Sequence, residues 1–557
     1  MKKWLEILML GLLLATQALA QTPSDKKANP VDLKQIDTLL QKEYPANAPG
    51  AAVIIKKQGA TILRKGYGMA DLELGVPMAP DMVFRLGSMT KQFTAVAILM
   101  LAEQGKLNLE DTLDKYMPDF PTQGKRITIE QLLTHTAGIK EVTELPEWLK
   151  MWRKDMTVQE LLNLFKPLPL DFDPGTKWNY SNSGYIILGA IIEKVAGVSY
   201  EEFINTRIFK PLGMTHSCYG SATRVIPRRI PGYTLGNDKI YINAEYLSMT
   251  QPYAAGSILS NVDDLAAWDE ALQAGKLIKP ESLRRAWTPL VLPNGDSTAY
   301  GYGWRISSYE GHRMIEHGGS IHGFLTYALS LPEDRVYIAI LHNCGDKSAS
   351  GLAFRLATLV LGKPVVKPSA IAVPVDELQS LCGHYEHGAD DIRVITLENG
   401  KLYSQRGGGP RYDLIPVAEN EFAISDTTDR LVAVRDATGK VTEVIAKPRL
   451  GLPDHGKRLE RKPEERKTIV LEPAIFDRLV GEYELAPSFI ITIYREGSRF
   501  MAQVTGQGVF EIFAESETRF FLKAVPAQVE FKLGADGKAE SLVLNQGGQA
   551  MPAKKIR

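Results

Sequence analysis

The chain has 557 residues, 44% hydrophobic and 23% charged, an ordinary globular composition with room for several cores. Its 65 lysines and arginines balance 65 aspartates and glutamates, so it carries no electrostatic footprint for nucleic acid or an anionic membrane surface. Cys218, Cys344 and Cys382 lie far apart, so at most one disulfide could form, and His216 with Cys218 makes only half a metal site.

In chain order, residues 1–20, MKKWLEILMLGLLLATQALA, join a short basic start to an apolar run and a small-x-small site at Ala18–Ala20. That is the pattern of a secretory signal peptide and predicts a periplasmic or secreted protein, with no transmembrane span after cleavage. Residues 31–365 mix helical and strand patterns. A hairpin is predicted around Lys57-Gln58-Gly59, and helices over TIEQLLTH, TVQELLNLF and SGYIILGAIIEKVAG. Two strands are predicted around the Pro-Glu-Asp-Arg turn of TYALSLPEDRVYIAILHN, and a closing helix over SASGLAFRLATLVLG. Strands at both ends with helices between them predict one α/β (α+β) domain whose sheet joins its two ends.

Beyond the Pro-rich GKPVVKPSAIAVPV the chain repeats itself. LCGHYEH at Leu381 matches LVGEYEL at Leu479, and the offset holds, since Tyr385 recurs as Tyr483 and Gln405 as Gln503. Each copy shows short alternating strands with Gly or Asn turns. Two small antiparallel β-barrels are predicted, over 375–450 and 473–557, with a charged linker over 451–472.

Three stretches carry chemistry. In RLGSMTKQFTAVAILMLAEQG, Ser88 stands three residues before Lys91 at the head of an apolar run. On a helix the two side chains share a face, and the helix start offers N–H groups to a developing anion. A serine attacks only when a base takes its proton, and a lysine serves only when burial keeps it neutral. Phe93 to Leu101 is apolar nearly all round, which predicts that burial. Taken alone, the tetrapeptide reads more simply as a serine N-cap with a lysine one turn in. In DPGTKWNYSNSGYIILG, Tyr180 can shuttle a proton and Asn182 can bind a carbonyl, or both serve packing and the helix start. In IEHGGSIHGFLTYALSL, His317 can place a donor beside a site, and Gly318 and Gly319 let backbone approach a ligand. The N–H of Ser320 can then complete an oxyanion hole with that of Ser88. His322 reads as a loop or packing histidine.

Ser-Met-Thr-Lys, Tyr-Ser-Asn and His-Gly-Gly, in that order, resemble the motif set of the serine β-lactamase and penicillin-binding-protein superfamily. The likeness is to its class C side: class C β-lactamases, DD-carboxypeptidases, D-aminopeptidases and esterases. TIEQLLTHTAGI, FINTRIFKPLGMTHS and AAGSILSNVDDLAAW fit too, and the resemblance covers Val31 to Gly362. It implies an antiparallel sheet flanked by helices beside an all-helical region, with the site between them. It implies that Ser88 attacks a carbonyl carbon of a small-molecule or peptide substrate while Lys91 and Tyr180 share acid–base work. Asn182 then orients Lys91 and the substrate amide, the N–H groups of Ser88 and Ser320 hold the oxyanion, and no metal or cofactor is needed. His317 stands where class C β-lactamases carry a lysine, and the threonine after it is missing. Both changes favour a peptidase or esterase over a β-lactamase; a non-catalytic wall-binding protein is the remaining reading. The two terminal barrels look like those of bacterial D-aminopeptidases, where RGGGPRY, Arg406 to Tyr412, would be either a cleft-shaping loop or an ordinary hairpin.

Overall fold

The structure, a computed structural model, describes residues 31–557 apart from 237–238, 310–311, 363–369, 389–390, 408–410, 426–428, 448–452, 461–467, 487–488, 505–508, 523–526 and 547–548. The signal-peptide segment, 1–20, and the tip of RGGGPRY therefore lie outside the described residues. Among the described residues no helix is long and apolar enough to cross a membrane.

Period-two alternation builds the first domain. Strands β1 (Ala51–Lys57) and β2 (Ala60–Tyr67) form the expected hairpin. Gln58 and Gly59, at φ 51° and 83°, supply the two left-handed residues that a two-residue turn between twisted strands requires. Strands β3 (Arg305–Tyr309), β4 (His312–Ile321), β5 (Phe324–Leu331) and β6 (Val336–His342) complete one antiparallel sheet in the order β3-β4-β5-β6-β1-β2. The β6–β1 pair joins the two ends of the domain, Ala51 opposite His342 and Lys57 opposite Val336.

Both faces of this sheet are covered, so β1 from Ala51 to Ile55 and β6 from Val336 to Leu341 are apolar. Val53, Ile55, Ile338 and Ile340 pack against helices α1 (Leu33–Glu43) and α4 (Ala349–Leu361). Their neighbours Ala52, Ile54, Ala339 and Leu341 face the larger core, around α2 (Thr90–Glu103) and α3 (Asn182–Ala196). Helix α2 is buried on every side from Thr90 to Leu99, with Phe93 stacked on Trp268 at 4.3 Å between ring centroids. Helix α3 starts where the Ser181 hydroxyl accepts from Gly184 N–H (3.1 Å) and stops at Gly197, φ 74°.

Each repeat copy is a closed eight-stranded antiparallel barrel, spanning Gly383–Arg458 and Gly481–Lys555. Their equivalent tyrosines are fully buried and make the same bond four residues back, Tyr385 to Leu381 O (2.6 Å) and Tyr483 to Leu479 O (2.5 Å). One boundary differs from the sequence reading. Asp454–Arg458, placed in the linker, is the strand that closes the first barrel, pairing with both Gly383–Gly388 and Val441–Lys447. Its inward positions carry no apolar side chain. Gly456 lies against the His387 ring, and Asp454 pairs with His387 Nδ1 (2.9 Å), so partnered charges hide the alternation.

His455 on that strand ties the barrel to the first domain: Nδ1 meets Glu443 Oε1 (2.6 Å) and Nε2 meets Asp296 Oδ1 (2.9 Å). Burial lowers its pKa, but the bonds to the two carboxylates outweigh that and raise it above the ordinary histidine value of 6.5. A raised folded-state pKa gives stabilisation that is complete below the unfolded pKa and lost as pH rises through the folded one. The unfolding midpoint of the wild type is therefore expected to exceed that of His455→Gln at pH 6 and to converge on it by pH ~9, read by thermal denaturation across that range.

Candidate active site

Ser88 lies on a single 3-10 turn, Gly87–Met89, that runs directly into α2. Neither the turn nor α2 has a side-chain cap, so Ser88 is not an N-cap and its hydroxyl is left for other partners. One turn on, Lys91 is fully buried, with Nζ 3.1 Å from Ser88 Oγ. The same Nζ donates to Asn182 Oδ1 (2.8 Å) and to Ala255 O (3.0 Å).

Two of these neighbours can only accept, and a neutral amine has two hydrogens to give them. Its lone pair is then left facing the Ser88 hydroxyl. Burial, reinforced by the charge of Arg305 and opposed by that of Glu141, pushes the Lys91 pKa down to about 7. A deprotonated amine is thus accessible near neutral pH and can take the serine proton.

The orientation of Asn182 is set by Glu141, a residue the sequence reading did not single out. Its buried carboxylate accepts from Asn182 Nδ2 (2.8 Å), Asn182 N–H (2.7 Å), Thr143 Oγ1 (2.6 Å) and Ser183 N–H (3.3 Å). A carboxylate cannot donate, so the Asn182 NH2 must face it and Oδ1 must face Lys91.

Tyr180, half-buried in the loop before α3, lies with its ring 4.7 Å from Lys91 Nζ. Burial raises its pKa, and a hydrogen bond with Ser88 and the charge of Arg305 only partly offset that, so it is a protonated phenol beside the serine. Its ring packs on His135 (4.4 Å between centroids), and Ser181 N–H donates to His135 Nδ1 (3.0 Å). His135 sits at φ 61°, and burial and the Lys91 charge hold its pKa well below the ordinary value. It is therefore a neutral acceptor that locks the Tyr180-Ser181-Asn182 loop. Its only trace in the sequence is the TIEQLLTHTAGI stretch.

Strand β4 brings the third motif alongside. The place of a Cβ on Gly319 is taken by the Leu86 carbonyl, at 1.8 Å, and a Cβ on Gly87 would stand 3.1 Å from Ser320 N. Gly319 thus admits the strand against the Ser88 turn, where the sequence reading had Gly318 and Gly319 admitting a ligand, and this sets the Ser320 backbone beside Ser88. His317 departs further from expectation. It is 2% exposed, Nδ1 meets Gly318 O (2.6 Å) and Nε2 meets the Tyr300 hydroxyl (2.9 Å). Burial, with the charges of Arg305 and Lys91, pushes its pKa down to about 3. The ring is neutral: Nδ1–H donates to the carbonyl and Nε2 accepts from Tyr300, so both nitrogens are taken and no cation stands there. The nearby cation is Arg305, over the Tyr180 ring at 5.9 Å, which sequence reasoning missed. His322 lies in the turn after β4, with Nδ1 3.2 Å from Glu245 O. The three cysteines are free, and among the described residues no group of His, Cys, Asp and Glu could hold a metal.

A family model described as Beta-lactamase matches residues 38–361, and one described as a domain of unknown function matches residues 465–555. The chain is 26% identical to penicillin-binding protein 4* of Bacillus subtilis (strain 168) over 541 residues, 94% of this chain and 99% of that one. Among solved structures it is similar to the octameric penicillin-binding protein homologue from Pyrococcus abyssi, with a TM-score of 0.54, 25% identity, and coverage of 76% of this chain and 100% of that one. It is also similar to a D-stereospecific amidohydrolase from Streptomyces sp., with a TM-score of 0.51, 26% identity, and coverage of 59% and 98%.

The Lys91 geometry sets the expected pH dependence. The second-order rate of Ser88 acylation should rise with pH along a limb near the Lys91 value of about 7. Lys91→Met should lower that rate by about 10²–10⁴-fold. Because the Glu141 charge raises the Lys91 pKa, Glu141→Gln should move the limb to lower pH as well as slow the reaction by about 10²-fold. Stopped-flow acylation from pH 5 to 9 reads both effects; a purely structural loss would slow the reaction without moving the limb.

Proposed function

The chain belongs to the beta-lactamase family, and from that premise we propose that it is an exported serine hydrolase. It acts through an acyl-enzyme on a small amide or ester substrate, as a peptidase of the D-aminopeptidase or DD-carboxypeptidase type or as an esterase. The observation that carries the reading is the Lys91 amine, buried, bound to two carbonyl oxygens, aimed at Ser88 Oγ at 3.1 Å and able to lose its proton near neutral pH.

In this reading Lys91 takes the Ser88 proton as Oγ attacks the carbonyl carbon. The N–H groups of Ser88 and Ser320 hold the oxyanion. Tyr180 gives its proton to the leaving group and recovers the one that Lys91 took from Ser88. Water then attacks the acyl-enzyme by the same route in reverse. Asn182 keeps Lys91 in place and binds the substrate amide; Gly318 and Gly319 hold the strand edge along which the substrate lies. His317 is assigned a positioning role, through Tyr300, in place of the catalytic one. The export reading rests on the sequence of residues 1–20 and places the enzyme in the periplasm or outside the cell.

Within this class, one feature weighs against a β-lactamase and another suits a substrate that carries a carboxylate on its leaving group. His317 is neutral, so it cannot serve as the cationic lysine that class C β-lactamases carry at that place. Among the described residues the Arg305 guanidinium has no hydrogen bond or ion pair, and it stands over Tyr180, on the leaving-group side, where it would meet the carboxylate of a departing amino acid.

Intact-mass measurement with a fluorophosphonate and a fluorescent penicillin tests the mechanism. The wild type should gain one adduct of each probe and Ser88→Ala none; a folded wild type without adducts, or equal labelling of Ser88→Ala, would sink it. A chromogenic cephalosporin, a p-nitrophenyl ester and a D-alanine p-nitroanilide then rank the substrates. The ester and anilide should turn over faster than the cephalosporin, and the reverse order would return the β-lactamase reading.

A further inference from the structure

A cavity opens beside the Ser88 turn, with a volume of about 430 Å³, within the ordinary range for a small-molecule site. Its floor is apolar, from Ile230, Met249, Leu259 and Phe324, and two arginines, Arg85 and Arg229, stand on its wall.

Arg85 is placed there by alternation. Phe84 and Leu86 on either side of it are fully buried in the main core, so the side chain between them points the other way. Its guanidinium lies over the Phe324 ring, 6.0 Å from the centroid. Among the described residues it makes no hydrogen bond and no ion pair. Burial lowers its pKa, and the positive charge of Arg229 lowers it further.

Arg229 donates one hydrogen bond to a carbonyl, Ser221 O (2.6 Å), and has no carboxylate partner among the described residues. Its loop neighbours differ, since Arg224 pairs with Glu201 and Arg228 with Asp81. The acid on the cavity wall, Glu245, lies 3.7 Å from Arg153. Two like charges therefore face one cavity without a counter-ion of their own, an arrangement that costs free energy until an anion enters.

The cavity's position relative to Ser88 follows from the chain. Arg85 is three residues before Ser88, a reach of about 10 Å along extended backbone. His322 lines the cavity two residues after Ser320. His317 lies further back on β4 with Tyr180 and Arg305 beside it, and at roughly 3.3 Å per residue it stands up to about 16 Å from His322. If Tyr180 serves the leaving group, as the proposed function has it, the cavity lies on the opposite side of the scissile bond.

The geometry points to an acyl-side subsite, built by Arg85 and Arg229 over an apolar floor, that takes a carboxylate carried by the acyl portion of the substrate. The subsite rests on the acyl-enzyme reading for its orientation, and it adds the substrate's chemistry: an acyl chain about six to eight bonds long that ends in an acid. A guanidinium pair presents forked donors to a carboxylate, and the apolar floor covers the methylenes between.

The test compares p-nitrophenyl hydrogen suberate with its methyl-capped, uncharged diester. Wild-type kcat/KM should favour the acid by about tenfold or more, the scale of one charge-assisted hydrogen bond. The ratio should fall towards one in Arg229→Gln and in Arg85→Gln. A ratio near one in the wild type, with turnover that still needs Ser88, overturns the subsite and leaves the acyl-enzyme reading standing. A preference lost in Arg305→Gln but kept in Arg229→Gln also overturns it. If neither ester is turned over, calorimetry with monomethyl suberate on the folded protein decides. Binding that is lost in Arg229→Gln keeps the subsite while the proposed function falls, and no binding removes it. Inorganic phosphate binding as tightly as monomethyl suberate, with the same loss, would mark a free-anion site and overturn the substrate assignment.

Discussion

The Lys91 amine, buried among Asn182 Oδ1, Ala255 O and Ser88 Oγ, constrains the whole centre of the molecule. An amine in so dry a place is tolerated only if its hydrogens are bonded, and it stays basic only if its charged form is disfavoured but not forbidden. Each neighbour comes from a different element: Ser88 from the turn before α2, Asn182 from the start of α3, Ala255 from the Tyr253–Gly256 helix. Glu141 adds a fourth, and its charge offsets part of the burial effect. Displacing any one of these segments would break the balance, which is why α2 is packed on every side.

Close backbone contact carries that constraint to the sheet. Leu86 O fills the space beside Gly319 and also accepts from Thr326 Oγ1 (2.8 Å), so β4 and β5 are both fastened to the turn that holds Ser88. The site therefore sits between a helical core and a sheet edge that cannot move apart. On one side, burial and the neighbouring positive charge hold His135 and His317 neutral beside Lys91 and Arg305. On the other side stand Arg85 and Arg229.

The barrels follow a simpler rule. Closure removes free strand edges, and a buried tyrosine bonded to the carbonyl four residues back pins the start of each barrel. The first barrel reaches the catalytic domain through His455 and Asp296, and Asp296 lies in the hairpin that leads to Tyr300, the partner of His317.

Local rules were enough for much of this. Alternation gave the hairpin and the β5–β6 pair, capping residues and Gly197 gave the helix limits, and the repeat gave two β-barrels. The order of Ser88, Lys91, Tyr180, Asn182 and His317 in the chain pointed to one catalytic centre. Asp454–Arg458 was missed because its inward residues are a glycine and partnered charges, which periodicity cannot register. Glu141, His135 and Arg305 were missed because their partners are far along the chain: Glu141 lies 41 residues from Asn182 and His135 lies 46 from Ser181. The sequence by itself reached the alternation of the main strands, the two barrels and the placing of Ser88 and Lys91 one turn apart, since these follow from spacing along one helix or strand. Only the tertiary structure decided that His317 is neutral and engaged, that Gly319 serves strand docking, and that Lys91 titrates near 7. Burial and long-range neighbours set those properties, and neither is a property of a local stretch of chain.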